Sequence, residues 1–432
     1  MPPRKTPVLQ LLLAVSLLVG SAGTPARTSA QSKSKAGKPH EHVLLAPERE
    51  YLAPLGTADS PLVVGAKVDV LLQTGKRLDD QEITEIQSGK SKTTFRSLGL
   101  KSTSGKRQKL RAGSLSHLII NGNTLYVAFD PSIKDSVLID LARRDEIVSV
   151  RLQAAGRQRW KPTDTEGQQQ ALAEYKRDYI DRVQQQFADR KFQVHETQFY
   201  LFCTDMPEQQ IGVYVANLDR MYAELCKMFG VPKGTNIWRG KCVVVAFQEK
   251  GDFVRFERQI MDYAVPDAVQ GLCHSFSNGK VVISCYRGNS PAFLGNLLVH
   301  ETTHGFLHLF RSNVNIPPWL NEGLAEWVAN VVVPESQTVP NRQRDAIPRI
   351  QTTGSMGGLL DETKTIESWQ YGIASGLAQF LIDLDSQAFG GLFTLIKEGA
   401  SWREALQELY GMTPQQLAAG FGRTVGIAEL KP

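Results

Sequence analysis

Short apolar runs, many of them β-branched, recur between residues 43 and 160. Three of these runs are AKVDVLLQTG, HLIINGNTLYVAF and EIVSVRLQ, and Gly, Asn and Asp residues lie close to their ends. Runs of this length, separated by turn-forming residues, are typical of antiparallel strands. The pattern predicts a small antiparallel β-domain over residues 43–160, with a barrel as one form that it can take.

The pattern changes after residue 160. Residues 161–190 are polar with helical spacing and predict a connecting helix. Over residues 191–312, the strand-like runs FQVHETQFYLFCTD, KCVVVAFQ and GKVVISCYRG surround a helical segment near 209–229, which predicts an α/β lobe. Residues 313–432 have mainly helical patterns and predict a helical lobe. The fold class predicted from this order is α+β.

The N-terminus has the pattern of a secretory signal peptide over residues 1–30. Arg4 and Lys5 precede an apolar run that is too short to span a bilayer, and small residues follow it. Cleavage after Gly23 or Ala30 would suit those small residues, and the alternative is an uncleaved membrane anchor. Residues 31–42 are polar without periodicity and predict a disordered tether. We therefore expect an exported protein, periplasmic or extracellular, with no transmembrane segment after cleavage.

Composition places the 432-residue chain among ordinary soluble proteins, since 42% of its residues are hydrophobic and 22% are charged. The formal net charge is +5, but residues 1–40 contain six basic and no acidic residues, so the remainder has a charge of −1. This balance gives no reason to expect specific nucleic-acid binding.

One segment of the β-domain is nevertheless strongly basic. No acidic residue occurs between Glu85 and Asp130. The basic residues that lie closest together there are Lys90, Lys92, Arg96, Lys101, Lys106, Arg107, Lys109 and Arg111. Such a block could contact an anionic polymer or an anionic surface. Basic side chains at solvent-exposed hairpin tips give the same pattern, so the sequence is consistent with both interpretations.

The five cysteines matter because an exported protein can meet an oxidising compartment. An odd number leaves at least one of them unpaired. Cys273 and Cys285 flank a predicted hairpin turn at Asn278 and Gly279, so a disulfide across two strands is one interpretation. Two buried free thiols are the other.

The stretch LLVHETTHGFLHLF, which begins at residue 297, places three histidines and a glutamate in an apolar run. Ser290 is a suitable N-cap and Pro291 suits a first helical turn, so we predict a helix over residues 291–311. Buried polar groups in such a helix require a partner, because leaving them unpaired costs a few kcal/mol, roughly.

In this helix His300 and His304 lie one turn apart on the same face, where two imidazoles can bind one zinc ion. Glu301 lies to one side, from which its carboxylate can reach a water molecule without becoming a ligand. His308 is about 12 Å from His300 along the axis, too far for the same ion, and is expected to be a core or supporting residue. Glu322, in IPPWLNEGLAEWVANVV, follows a helix break and is the better third ligand.

Glu326 lies one turn after Glu322 on the same predicted helix. From that position its carboxylate could accept a hydrogen bond from a ligand histidine and fix the tautomer of that imidazole.

HETTH followed by Trp-Leu-Asn-Glu-Gly-Leu-Ala resembles the gluzincin clan of zinc metallopeptidases. The resemblance covers roughly residues 191–425, is strongest in these two motifs, and leaves the β-domain outside. It implies a gluzincin-like domain that binds one zinc ion per chain through His300, His304 and Glu322, with Glu301 as general base. The spacing between the motifs is one residue shorter than in the aminopeptidase N branch. A later segment, WQYGIASGLAQFLIDL, is similar to a clan helix whose tyrosine stabilises the oxyanion, and Tyr371 matches that position. The alternative for Tyr371 is a core tyrosine whose ring packs beside Trp369 or Phe380.

The resemblance implies hydrolysis of peptide bonds in a peptide or protein substrate. The Gly-x-Met-Glu-Asn segment with which the aminopeptidase branch binds a free amine is missing from this sequence, which favours an endopeptidase. The strand KVVISCYRG, just before the active helix, is expected to be the sheet edge that receives an extended peptide. Two alternatives are an inactive, metallopeptidase-like binding protein of the cell envelope and an amidase for a non-peptide substrate.

Overall fold

The computed structural model describes residues 14–16, 44, 46–55, 60–91, 93–130, 133–232, 234–288 and 290–432. Strand β1 (Ala14–Ser16) lies within the predicted signal peptide. The rest of that peptide and the predicted tether lie outside the described residues. In the described part, an antiparallel sheet is followed by helices and a second sheet, so the predicted α+β class is confirmed.

The N-terminal sheet has seven antiparallel strands within the described residues. They are β2 (Lys67–Leu72), β3 (Arg77–Ser88), β4 (Thr94–Lys101), β5 (Arg107–Arg111), β6 (Leu115–Ile120), β7 (Asn123–Asp130) and β8 (Asp135–Asp140). The strand order is β3-β2-β6-β7-β8-β4-β5, and β3 also pairs with β4. Six strands therefore form a closed ring around an apolar core, which is the barrel form, and β5 pairs with β4 on one side.

The prediction of a strand at EIVSVRLQ is wrong, because this segment lies in helix α1 (Leu141–Ala154). Asp140 caps the helix by accepting hydrogen bonds from the backbone N–H groups of Ala142 and Arg143. Val148 and Leu152 are four residues apart and both buried, which is helical spacing. The N-cap and this pair outweigh the β-branched composition that suggested a strand.

Residues 165–186 are helical, within the segment predicted as a connecting helix. They form α2 (Thr165–Tyr175), a π-helical turn (Lys176–Ile180) and α3 (Asp181–Gln186). The apolar side chains of this helical segment, among them Tyr175 and Val183, pack against the second sheet.

The second sheet has the strand order β1-β12-β13-β11-β10-β9. Its longer strands are β9 (Gln193–Glu196), β10 (Tyr200–Thr204), β11 (Cys242–Phe247), β12 (Val269–Ser275) and β13 (Val281–Tyr286). Helix α4 (Glu208–Met228) packs on one face, whereas α5 (Lys250–Gln259) and the segment 165–186 pack on the other. Successive strand residues alternate between these two cores, as the period of two for a strand requires.

The predicted hairpin is present, because β12 and β13 are antiparallel on either side of Asn278 and Gly279. Its register places Cys285 opposite Gly271, and Cys273 lies opposite Ile283 instead. All five cysteines are buried free thiols, so the alternative of unpaired cysteines describes the structure.

Seven helices complete the described chain, in agreement with the helical pattern predicted for this part. They are α6 (Pro291–Leu309), α7 (Pro318–Val332), α8 (Thr338–Thr353), α9 (Gln370–Leu384), α10 (Ser386–Lys397), α11 (Trp402–Tyr410) and α12 (Pro414–Thr424). None of the helices that the structure describes combines the length and apolar character needed to cross a membrane.

A buried ion-pair network joins the N-terminal segment to the end of α6. Arg311 donates hydrogen bonds to Glu398 at 2.6 Å and to Glu48 at 3.1 Å; both glutamates are buried, and Arg311 is half-buried. Glu48 belongs to a 3-10 turn (Ala46–Tyr51) that packs beside the β-domain. Breaking one partner of such a network is costly, so it fixes this turn to the helical lobe.

Helices α7 and α9 approach each other closely at Gly323, the residue after Glu322. A Cβ atom at Gly323 would lie 2.5 Å from the carbonyl oxygen of Ala374 in α9. Close-packed interiors leave no room for such an overlap, so this helix spacing depends on glycine. The same contact brings Tyr371, near the start of α9, toward Glu322.

Gly323→Ala is therefore expected to lower the free energy of unfolding by about 1–3 kcal/mol, because the helices must move apart. Urea denaturation measures this change. Gly212→Ala in α4 is the control, since a Cβ atom there meets nothing within 4 Å and alanine favours a helix. Equal stability of the two variants would contradict the close α7–α9 contact.

Candidate metal centre

Helix α6 begins where its sequence predicts. The Ser290 hydroxyl accepts a hydrogen bond from the Phe293 N–H at 3.1 Å, and Pro291 occupies the first turn. The helix ends at Leu309, two residues before the predicted end. Its polar residues are placed between the second sheet and α7, where His300, Glu301 and His304 are all buried.

The structure brings His300, His304 and Glu322 together around one point. The two Nε2 atoms are 3.1 Å apart. Glu322 Oε2 lies 3.2 Å from His300 Nε2 and 3.5 Å from His304 Nε2. Ligands at about 2.0–2.1 Å from a tetrahedral zinc ion lie about 3.3–3.4 Å from one another, so the three atoms have the spacing of a metal-ligand triangle.

The surroundings of Glu322 test whether a cation fits there. Neither of its carboxylate oxygens has a hydrogen-bond partner among the described residues, and the side chain is fully buried. Burial alone raises the pKa of Glu322, but His304 and His300, when they are protonated, outweigh it and hold that pKa below its usual range, so the carboxylate keeps its negative charge. A buried carboxylate without hydrogen bonds is costly unless a cation compensates it, so this group could hold a metal ion.

Two further side chains orient the imidazoles. His300 Nδ1 lies 3.0 Å from Glu326 Oε1, as the sequence predicts for Glu326. His304 Nδ1 lies 3.1 Å from Asn321 Oδ1, a contact that the sequence analysis missed. Because both partner atoms are acceptors, we assign the proton of each imidazole to Nδ1, which leaves the Nε2 lone pairs directed at the shared point.

Arg342 of α8 is a second residue that the sequence analysis missed. It donates a hydrogen bond to Glu326 Oε1, and its guanidinium lies 5.1 Å from the centroid of the Tyr371 ring. Burial raises the pKa of Glu326, but Arg342 and His300 outweigh it and lower that pKa. Glu326 therefore stays an anion beside His300. No motif marks Arg342, because its contact depends on how α8 packs.

Glu301 is fully buried beside the ligand group, without being part of it. Both of its carboxylate oxygens lack a hydrogen-bond partner among the described residues. Gly271 in β12 lies against it, since a Cβ atom there would be 3.2 Å from Glu301 Cγ. Burial raises the pKa of Glu301, which makes it a stronger proton acceptor than an exposed glutamate.

Tyr371 also lies close to the ligand group. Its ring centroid is 6.5 Å from that of His300, and the residue is 5% exposed. Burial, followed by the charge of Glu322, raises the pKa of Tyr371, so the phenol keeps its proton. Trp369 packs under Arg349 and Phe380 packs on Phe421, rather than on the Tyr371 ring.

His308 does not join the group. Its Nε2 lies 3.2 Å from the carbonyl oxygen of Phe276, and its ring packs at 5.2 Å from Trp160. Burial of its ring lowers its pKa to about 4, so this half-buried histidine is neutral at pH 7 and acts as a packing residue.

Comparisons with known proteins assign no family to this chain. No protein-family model matches the sequence, and no curated protein matches it either.

Proposed function

We propose that the chain is an exported zinc metallopeptidase that hydrolyses peptide bonds, as an endopeptidase. The observation that carries this proposal is the buried group of His300, His304 and Glu322, with the unpartnered carboxylate of Glu301 beside it. Two imidazole nitrogens and one carboxylate oxygen are the donor set of the His₂Glu class of catalytic zinc sites. A purely structural zinc site would use four protein ligands, and the described residues offer three here.

When bound, zinc supplies a Lewis acid that polarises a carbonyl group and acidifies water. Glu301 accepts the proton of the attacking water and returns it to the leaving amine. Glu326 and Asn321 hold the two imidazoles in the tautomer needed for binding. Tyr371 donates a hydrogen bond from its phenol to the oxygen that becomes negative in the transition state.

The sheet edge that we propose for the substrate differs from the one predicted from the sequence. KVVISCYRG forms β13, which lies inside the sheet between β12 and β11, so the expected edge is wrong. The position next to Glu301 belongs to β12. A short segment of the chain itself, β1, pairs there in antiparallel orientation, with Ala14 opposite Leu272 and Ser16 opposite Val269. We infer that an extended peptide substrate pairs with β12 in the same way.

A digest of a broad peptide library with the purified protein tests the proposed activity. We expect internal cleavage that stops when a zinc chelator is added. Release of single N-terminal residues would instead favour an aminopeptidase. Intact peptides in the presence of zinc would favour the alternative of an inactive binding protein.

Tyr371→Phe removes only the phenol hydroxyl. Loss of an oxyanion donor should cost about 2–4 kcal/mol in the turnover step, with zinc content unchanged. Steady-state kinetics on a peptide from the digest measures this loss. Tyr410→Phe is the matched control, because that hydroxyl donates to the carbonyls of Leu381 and Asp385 at the far end of α9. Turnover near wild type in Tyr371→Phe would make this tyrosine a packing residue.

A further inference from the structure

A large cleft opens at the β-domain, away from the candidate metal centre. It has a volume of about 1770 Å³ and lies between β-domain strands and residues 198, 232, 234 and 235 of the α/β lobe. Its basic lining residues are Arg96, Lys109, Arg111 and Lys134, whereas Asp135 is the one acidic residue among the described lining. The cleft therefore has an excess of positive charge.

Ion pairs neutralise part of this charge. Arg96 lies 3.3 Å from Asp135, and Lys109 lies 2.7 Å from Glu85. Within the described residues, Arg111 and Lys134 take part in no ion pair. These two cations remain available to an anionic ligand.

The cations continue out of the cleft along β5. Arg107, Lys109 and Arg111 alternate along this strand, and all three are exposed. Alternate residues of a strand lie on one face about 6.8 Å apart. Their cross-strand neighbours on β4 are Lys101, Gly99 and Ser97, none of which is acidic. The three residues, here called the β5 cation row, form a regular line of basic side chains. Lys109 is paired with Glu85, so Arg107 and Arg111 supply the uncompensated positive charge of the row.

Strand β5 also has an unpaired side. Among the described strands it pairs with β4 alone, so alternate backbone N–H and C=O groups point away from the sheet. An extended polypeptide can pair with such an edge and place every second side chain on the face of the cation row. The side chains of the added strand repeat every second residue, which is the same spacing as that of the basic residues in the cation row.

We infer that the free edge of β5, with the adjoining cleft, binds an extended acidic segment of a partner protein. Charge complementarity selects acidic side chains, and the unpaired backbone selects a polypeptide over other polyanions. This site is separate from the candidate metal centre, and the inference does not rest on peptidase activity.

Binding of fluorescent octapeptides tests the inference by anisotropy. The full chain with Glu301→Gln is used, so that no peptide is cleaved. We expect an alternating Glu-Thr peptide to bind, and its Gln-Thr counterpart to bind at least about tenfold more weakly. N-methylation of alternate backbone amides in the Glu-Thr peptide should weaken binding by a similar factor, because those N–H groups pair with β5. The affinity should also fall as salt is raised.

Variants locate the site. Arg107→Gln combined with Arg111→Gln should weaken binding of the Glu-Thr peptide about tenfold. Lys161→Gln is the control, since this exposed lysine lies outside the cleft lining. Failure of the Glu-Thr peptide to bind, or equal binding of the Gln-Thr peptide, would overturn the inference. Binding of a sulfated polysaccharide combined with indifference to N-methylation would also overturn it, in favour of a non-peptide polyanion.

Discussion

Glu301→Gln is expected to lower the rate of peptide hydrolysis by about 10² to 10⁴, the usual contribution of a general base. The substitution keeps the size of the side chain but removes its ability to accept a proton. His300, His304 and Glu322 are untouched, so the variant should bind as much zinc as wild type. Single-turnover kinetics and metal analysis on the same preparation measure both properties.

The control for this experiment is Glu257→Gln. Glu257 is equally buried and lies 2.9 Å from His274 Nε2, on the opposite face of the sheet from α6. It should affect stability rather than the rate of the chemical step. Unchanged hydrolysis in Glu301→Gln would remove this residue from the mechanism.

Glu322→Ala is expected to lose the metal. It removes one of three ligands and leaves only the two imidazoles, whose Nε2 atoms are 3.1 Å apart, so zinc retained after dialysis should fall from about one per chain to well below that value. Hydrolysis should fall with it. Elemental analysis of the dialysed protein measures the zinc content.

His308→Ala provides the matched control, because it removes a nearby histidine of α6 that faces Phe276 and Trp160. This variant should keep its zinc and lose some stability. Full zinc retention in Glu322→Ala, with loss in His308→Ala, would reverse the ligand assignment.

Local signals along the sequence predicted the parts of the site that depend on helical periodicity. The four-residue spacing of His300 and His304 needs a helix, and the cap at Ser290 with Pro291 indicated where that helix begins. The two prolines before Glu322 indicated a second helix, and α7 begins at Pro318. In each of these cases, a single short segment of the sequence contains every residue on which the prediction depends.

Features that depend on contacts between distant segments were missed. The position of β13 inside the sheet follows from its parallel pairing with β11, which no local pattern reveals. Arg342 reaches Glu326 because α8 packs against α9 at Gly372, where a Cβ atom would lie 2.2 Å from the carbonyl oxygen of Arg342. Asn321 was a different case, because it lies directly before Glu322 and its position on α7 could have indicated a contact with His304.

Zinc titration of the metal-free protein tests the central claim most directly. The metal is removed with a chelator, zinc is added back stepwise, and peptide cleavage is followed against zinc bound per chain. The proposed function predicts no cleavage without zinc and a linear recovery that ends at about one zinc ion per chain. Cleavage that persists in the zinc-free protein, or one bound zinc ion without any cleavage across the peptide library, would contradict it.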